Sequence, residues 1–222
     1  MSHHDGENEG TSADSGYDDF VILLDDDGNH IGTAPRATVH SQHTPRHLAF
    51  SCHVLDVGGR VLVTRRALTK VAWPGVWTNT CCGHPRVGET IIDAAVRRTH
   101  QELGLDLDPR RMRVVLPDFS YRATDSGGIV EDEFCPVVVA RLSLPEELVE
   151  LNPDPDEVEE VAWVGWQDMY DLARSMPALL SPWAVEQMLE FGPDLPWCAD
   201  LHYTEVRTSP WSGHAASIDA DT

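Results

Sequence analysis

The segment from residue 67 to residue 104 constrains the fold of this chain more than any other. Residues 67–88 are too rich in Gly, Pro and Trp for a regular helix or strand. Such an irregular stretch of about 20 residues in a compact domain is more often functional than accidental. Residues 90–103 then carry apolar side chains at helical spacing, and Gly104 stands where a left-handed residue ends a helix. The sequence therefore predicts a long functional loop anchored on an amphipathic helix.

The remaining elements alternate between short apolar runs and two further helical patterns. The predicted strands cover residues 20–25, 47–56, 60–66, 113–122, 129–142 and the end of 154–166. The predicted helices cover residues 167–175 and 181–192, and Ser181 and Pro182 start the second of them. This order of elements is typical of a single α+β domain with a mixed sheet.

The two ends of the chain differ in composition from the part between them. Residues 1–17 are polar, acidic and rich in Gly and Ser, which is typical of a disordered tail. Residues 196–222 form a polar C-terminal extension. We therefore expect one folded domain over residues 18–195.

Composition excludes several classes of protein. A hydrophobic content of 41% with seven Trp is enough for a core, so the chain is not disordered throughout. No apolar run approaches the roughly 18 residues of a membrane span, and the N-terminus lacks the basic and apolar regions of a secretory signal. Five Cys, an odd number, do not indicate a disulfide framework. These features favour a reducing, cytoplasmic location.

The charge of the chain is strongly negative. There are 37 Asp and Glu against 16 Lys and Arg, a formal net charge of −21, and Lys70 is the single Lys. This charge argues against a nucleic-acid partner, whose phosphates would be repelled. An acidic, Lys-poor composition is what a protein in concentrated salt would show, and we interpret it as halophilic. A GC-rich genome would also favour Arg over Lys, but it does not explain the net charge.

The basic residues are concentrated in the middle of the chain. Residues 36–113 hold 12 of the 16, against six acids, whereas residues 146–160 hold eight acids and no Lys or Arg. This segregation predicts a binding site for a small phosphorylated ligand, because the rest of the surface would repel a polyanion. The alternative is that these side chains are solvated and only balance the acids.

The predicted loop and helix resemble the Nudix box, a loop–helix–loop that binds a metal–diphosphate. The matching residues are Gly83, Glu89, Arg97, Glu102, Gly104 and Leu105. Two further acids of the full box are replaced by Arg98 and Gln101, which argues against hydrolysis. Arg98 and Glu102 are four residues apart and share a helix face, so an ordinary surface salt bridge is the alternative.

Three histidines and two glutamates form a candidate site for a divalent ion. Glu131 and Glu133 lie two apart on a predicted strand, so both point to one face, where they would repel each other unless solvated or bound to metal. The candidate ligands are His40, His47, His84, Glu131 and Glu133. Imidazole and carboxylate together suit a transition ion such as Mn²⁺ or Zn²⁺.

Several sequence blocks resemble the type I isopentenyl-diphosphate Δ-isomerase family. The blocks are HLAF, VTRRALTK, WPGVWTNTCCGHP, ELG, PDFSYRATDSGGIVEDEFCPV and SPW, in order over roughly residues 20–190. The resemblance implies a Nudix-like mixed β-sheet sandwiched by helices. It also implies an isomerase that interconverts isopentenyl and dimethylallyl diphosphate for isoprenoid biosynthesis, by metal-dependent protonation and deprotonation.

The same resemblance implies roles for the matching residues. Cys82 and Glu133 would be the acid/base pair, with Tyr121 bonded to Glu133 and Trp183 facing the hydrocarbon. The five His and Glu residues above would bind one ion, and Glu102 with the Cys82 carbonyl would hold Mg²⁺ on the substrate. The residues that would bind the diphosphate are Arg36, Arg66, Lys70 and Arg98. Arg36 stands where the family commonly has Lys, and Cys81 is interpreted as structural.

Two other functions are open at this point. A Nudix hydrolase of a diphosphate would use the same loop and helix, and a non-enzymatic diphosphate- or metal-binding protein could share the fold. Taken singly, a Cys beside Gly is usually a buried apolar residue, and a Trp after Ser-Pro is usually a core anchor. The presence of all these residues together, in family order, favours the isomerase.

Overall fold

A computed structural model describes residues 20–194, so the predicted tails, 1–17 and 196–222, lie outside the described residues. Within this range the strands are β1 (Phe20–Leu24), β2 (His30–Pro35), β3 (His47–Leu48), β4 (Phe50–Leu55), β5 (Arg60–Arg66), β6 (Trp77–Thr78), β7 (Cys81–Gly83), β8 (Met112–Leu116), β9 (Ser120–Thr124), β10 (Val130–Phe134), β11 (Val137–Arg141) and β12 (Val158–Gly165). The helices are α1 (Arg36–Val39), α2 (Ile91–Leu103), α3 (Trp166–Ser175) and α4 (Pro182–Phe191). Over residues 20–194, none of these helices has the length and apolarity needed to cross a membrane.

The strands form two mixed sheets. The smaller sheet has the order β2-β1-β3-β10-β9, and the larger has the order β12-β5-β4-β11-β8, with β6 on β5 and β7 on β4. Each sheet contains one parallel pair, β3 with β10 and β4 with β11, and its other pairs are antiparallel. The predicted mixed-sheet α+β class is confirmed.

Three long predicted strands are each divided between the two sheets. The predicted strand 47–56 becomes β3 and β4, 113–122 becomes β8 and β9, and 129–142 becomes β10 and β11. The third breaks at Pro136, which has no N–H for a ladder, and its carbonyl accepts from Ser51 N at 3.2 Å. Predicting each as one strand was wrong, because an apolar run does not reveal where a strand changes sheet.

The larger sheet lies between helices. Cys52, Val54 and Leu62 pack against α2, whereas Leu55 and Val61 on the same two strands pack against α3 and α4. This alternation follows from the period of two in a β-strand, and it makes both faces of β4 and β5 apolar. The predicted sandwich of a sheet by helices is confirmed for this sheet.

The principal helix begins and ends where predicted. Thr90 is the N-cap, and its hydroxyl accepts from Asp93 N at 3.1 Å. Gly104 closes the helix in the left-handed conformation, with φ 64°, and its N–H bonds to His100 O. A side chain at Gly104 would also meet Asn152, whose Cβ would lie 3.0 Å away. Local capping chemistry therefore determines both ends of α2.

The structure also contains elements that the sequence did not predict. Strand β2 and the short helix α1 follow Gly28, which has a positive φ of 81°. Strands β6 and β7 lie within residues 67–88, where no regular element was expected. Both are very short and pair with the long strands β5 and β4, so tertiary pairing rather than local propensity forms them.

Candidate active site

A cavity of about 460 Å³ opens between the two sheets and helix α2. It gathers most of the side chains that the sequence singled out, from elements far apart in the chain. The predicted residues that line it are Arg36, His40, Arg66, Lys70, Cys82, His84, Arg98, Tyr121, Glu131, Glu133 and Trp183. His47 and Glu102 do not line the cavity and are buried, at 0% and 7% exposure.

The histidines and one glutamate converge at one point. Parallel pairing of β3 with β10 places His47 directly opposite Glu133. His40 ends α1 and His84 follows β7, and both reach the same place. The ligand atoms of His40, His47, His84 and Glu133 all lie within 4.8 Å of one another. Glu131 lies beside this group, with Oε2 3.1 Å from Nε2 of His40.

The donor atoms of this cluster fit a divalent ion. His47 Nδ1 lies 2.9 Å from Pro45 O, a carbonyl that only accepts, so Nδ1 carries a proton and the neutral ring presents the lone pair of Nε2. That Nε2 is 3.2 Å from His84 Nε2. The buried His40 Nε2 has no properly oriented hydrogen-bond partner among residues 20–194, despite its closeness to Glu131. Converging ring nitrogens and an unsatisfied buried nitrogen fit the binding of a cation.

Burial and mutual contact control the charges in the cluster. Burial lowers the pKa of His84 to about 4, so its ring is neutral and able to bind metal near neutral pH. Burial opposes ionisation of Glu133, but its close contacts with the His47 and His84 rings hold its pKa well below the ordinary value. Burial and the neighbouring Glu133 raise the pKa of Glu131. The site therefore contains at least one firmly ionised carboxylate.

Cys82 lies at the cavity wall, and its neighbour faces the other way. Strand β7 pairs Cys82 with Ser51 of β4. The Cys82 Sγ is 3.2 Å from Asn79 Oδ1 and 3.4 Å from Ser51 Oγ. Burial raises the pKa of Cys82 to about 11, so the group is a thiol near neutral pH. Cys81 points instead into the core under α2, at 2% exposure.

Glu133 and Trp183 form another part of the wall. Oε2 of Glu133 accepts from the Tyr121 hydroxyl at 2.9 Å, while Oε1 lies 3.4 Å from Nε2 of both His47 and His84. The Trp183 ring lies 5.4 Å from the Tyr121 ring, centroid to centroid. The Arg66 guanidinium is 5.5 Å from the centre of Trp183. One oxygen of Glu133 thus faces the histidines and the other the phenol.

Two cations at the basic end of the cavity pair with an acid that sequence reasoning missed. Glu157 pairs with Lys70 through Oε2 and with Arg98 through Oε1, the latter at 3.0 Å. Arg98 also pairs with Glu102, as their helical spacing predicted. Burial raises the pKa of Glu102 despite Arg98. Nothing in the acidic run 146–160 distinguishes Glu157 from its neighbours, so only the folded structure identifies it.

The degenerate Nudix box positions the cavity wall. Glu89 bonds Arg97 Nη2 at 2.7 Å, and the same nitrogen donates to His84 O at 3.2 Å, so the helix holds the loop. A side chain at Gly83 would lie 3.0 Å from Arg98 Cγ, so glycine permits this close approach. Asn79, also missed from the sequence, accepts from Trp183 Nε1 at 3.0 Å as well as contacting Cys82.

Comparison with known proteins identifies relatives of this chain by sequence and by fold. The NUDIX domain family matches residues 45–184. An isopentenyl-diphosphate Delta-isomerase of Frankia alni is 53% identical over 82% of this chain and 90% of its own length. Another isopentenyl-diphosphate Delta-isomerase, from Clavibacter sepedonicus, is 51% identical over 78% and 87%. A crystal structure of a Deinococcus radiodurans protein aligns with TM-score 0.57 and 16% identity, over 77% of this chain and 98% of that one. This last likeness supports the fold alone.

Proposed function

This chain belongs to the Nudix family and, within it, to the isopentenyl-diphosphate Delta-isomerases, and we propose that its cavity interconverts isopentenyl diphosphate and dimethylallyl diphosphate. The observation that carries the proposal is the presence of Cys82 and the Tyr121–Glu133 pair on the wall of one cavity, with Trp183 beside them. The reaction adds a proton at one carbon of an allylic unit and removes another elsewhere.

The proposed chemistry requires an acid, a base and a dry pocket. Cys82, a thiol near neutral pH, and Glu133, ionised, are the proposed acid/base pair. Protonation of an unactivated alkene develops a tertiary carbocation, which water would capture. Trp183 is 2% exposed, and its π-face would stabilise that cation by roughly 2 kcal/mol when desolvated. Binding of the remote diphosphate would hold the small hydrocarbon in place.

The metal requirement is part of the proposal. His40, His47, His84, Glu131 and Glu133 would hold one divalent ion, Mn²⁺ or Zn²⁺, and Glu102 with the Cys82 carbonyl would hold Mg²⁺ on the substrate diphosphate. A bound ion supplies positive charge that orients carboxylates and tunes their pKa values. The converging nitrogen atoms support the first site, and the pairing of Glu102 with Arg98, which lines the cavity, supports the second.

A Nudix hydrolase is the alternative, and the contacts of α2 disfavour it. The positions of the two missing box acids hold Arg98, paired with Glu102 and Glu157, and Gln101, which accepts from Arg97 Nη1 at 3.3 Å. Neither side chain can supply a carboxylate to a metal that activates water. Incubation with isopentenyl diphosphate, with and without divalent ions, separates the two functions. The isomerase yields dimethylallyl diphosphate without free phosphate, and a hydrolase releases phosphate.

Lys70→Ala is expected to raise KM by about 10–100-fold, because a hydrogen bond to a charged group contributes roughly 1.5–3 kcal/mol. Lys70 lines the cavity and pairs with Glu157, so its removal also leaves the charge of Glu157 less neutralised. Arg110→Ala is the matched control, since the Arg110 side chain is 89% exposed and pairs with Asp108. Steady-state kinetics of both variants measure the effect. Equal KM values would contradict a diphosphate role for Lys70.

We also propose a saline, reducing cytoplasm for this protein. The four cysteines in the described range are free thiols, which supports the reducing location. In the acidic run 146–160, five of the eight acids are exposed. Arg60 and Arg65 pair with acids of this run, so the basic middle of the chain neutralises part of it. A large net negative charge remains on the molecule.

The melting temperature is expected to rise from dilute buffer to molar KCl. With a net charge of −21, self-repulsion destabilises the compact state at low salt. Raising the ionic strength shortens the Debye length from about 10 Å at 0.1 M to about 3 Å at 1 M. Thermal melts across a KCl series measure the effect, and Glu147→Gln/Glu150→Gln should reduce the salt dependence. A flat or falling melting temperature would contradict the halophilic interpretation.

A further inference from the structure

A chain of buried hydrogen bonds leads from the Cys82 sulfur into the core. Cys82 Sγ is 3.4 Å from Ser51 Oγ, and Ser51 Oγ accepts from Gln187 Nε2 at 2.9 Å. Gln187 Oε1 in turn lies 2.9 Å from His53 Nε2. Ser51, Gln187 and His53 are at most 1% exposed, and none of the three lines the cavity. Cys82 is therefore the member of the chain that meets the substrate space.

The hydrogen bonds from His53 to Ser51 have a defined donor-to-acceptor direction. A carboxamide oxygen only accepts, so His53 Nε2 donates to Gln187, and the Gln187 amide then donates to Ser51. The Ser51 hydroxyl hydrogen is left to point at a sulfur, either Cys82 or Cys135, each 3.4 Å from Ser51 Oγ. Burying three polar side chains is costly unless they bond one another, whereas apolar residues could fill the same volume.

We propose that Ser51, oriented by Gln187 and His53, is a positioning residue that holds the Cys82 sulfur at the cavity wall for proton transfer. The proposal rests on the acid/base role of Cys82 in the proposed function. Asn79 contacts the sulfur from another side, at 3.2 Å, so two polar groups together restrict where the thiol can lie. Proton transfer depends on such placement, and a misplacement of about 1 Å can cost about 100-fold in rate.

Two variants test the hydrogen-bond chain at different residues. Ser51→Ala removes the hydroxyl. Gln187→Glu keeps the shape and the acceptor for His53 but replaces the amide donor by a carboxylate, so the Ser51 hydroxyl turns away from the sulfur. Each is expected to lower kcat by roughly 10–100-fold while leaving KM near the wild-type value. The double variant should lose no more than Ser51→Ala alone, because Gln187 acts through Ser51.

Controls separate positioning from packing. Cys135→Ala removes the other sulfur partner of Ser51 and is expected to keep the wild-type kcat. Ser51→Thr retains a hydroxyl and is expected to exceed Ser51→Ala in kcat, which keeps the test usable if Gln187→Glu does not fold. Melting temperatures of all variants report on packing. A purely structural role would lower stability without the selective loss in kcat.

The outcomes distinguish this inference from the proposed function. Wild type and Cys82→Ala are measured in the same assay for dimethylallyl diphosphate. Turnover retained in Cys82→Ala overturns the role of Cys82 and the positioning with it. An inactive Cys82→Ala beside a fully active Ser51→Ala overturns the positioning alone. A loss in Cys135→Ala equal to that in Ser51→Ala would likewise overturn it.

Discussion

Cys82→Ala is expected to lower kcat by about 10²–10⁴-fold, because a positioned proton donor or acceptor typically contributes that much. The variant removes one sulfur atom from a partly buried side chain at the cavity wall, so the fold and the diphosphate end of the cavity should be unchanged. Conversion of isopentenyl diphosphate at saturating substrate, with circular dichroism as a check on folding, measures the effect.

The adjacent cysteine is a matched control for this prediction. Cys81 lies on the same strand but packs under α2 at 2% exposure. Cys81→Ala should lower the melting temperature slightly, through a small cavity, and leave kcat near the wild-type value. Near-normal turnover in Cys82→Ala would refute the proposed mechanism. A larger kcat loss in Cys81→Ala than in Cys82→Ala would reverse the assignment of the two cysteines.

Glu133→Gln is expected to cause a loss of similar size, about 10²–10⁴-fold in kcat. The amide can still accept from the Tyr121 hydroxyl, which is 2.9 Å from Oε2 in the wild type, but it cannot take up a proton from the substrate. It is also a weaker metal ligand, so turnover is measured at saturating divalent ion and metal content is measured in parallel.

A control on the same strand isolates the cause. Asp132 precedes Glu133 in β10 and pairs with Arg122 of β9, with Oδ2 3.2 Å from Nε. Asp132→Asn removes an equivalent charge next to the site, and such a surface pair contributes roughly 0–1 kcal/mol. Its kcat should stay near the wild-type value. Full recovery of Glu133→Gln at saturating ion would make Glu133 a ligand only, and no base.

The family resemblance singled out more of the residues that line the cavity than spacing and periodicity did. The placement of Glu131 and Glu133 on one strand face follows from the period of two alone, and both line the cavity. Spacing alone could not have chosen His40, His47 and His84 among 11 histidines. His47 meets Glu133 because β3 pairs in parallel with β10, a contact between segments more than 80 residues apart.

The site residues that sequence reasoning missed share one cause. Glu157, Asn79 and Ser51 are common polar residues whose importance lies in their contacts. Glu157 contacts two cations, Asn79 contacts a thiol and an indole, and Ser51 contacts two thiols. None carries a local pattern, such as a cap, a period or a turn, that would distinguish it. Contacts of this kind are decided by packing and therefore appear only in the folded chain.

The sequence by itself determined the features that depend on neighbouring residues. Thr90 and Gly104 cap the two ends of helix α2, and Ser181 caps the N-terminus of α4. The apolar runs likewise specify strands, because capping and periodicity act over a few residues. Tertiary structure alone decided where the predicted strand 47–56 passes from one sheet to the other and that His47 stands opposite Glu133. Strand register and sheet membership are those that minimise the free energy of the whole core. They therefore cannot be predicted from any local stretch of sequence.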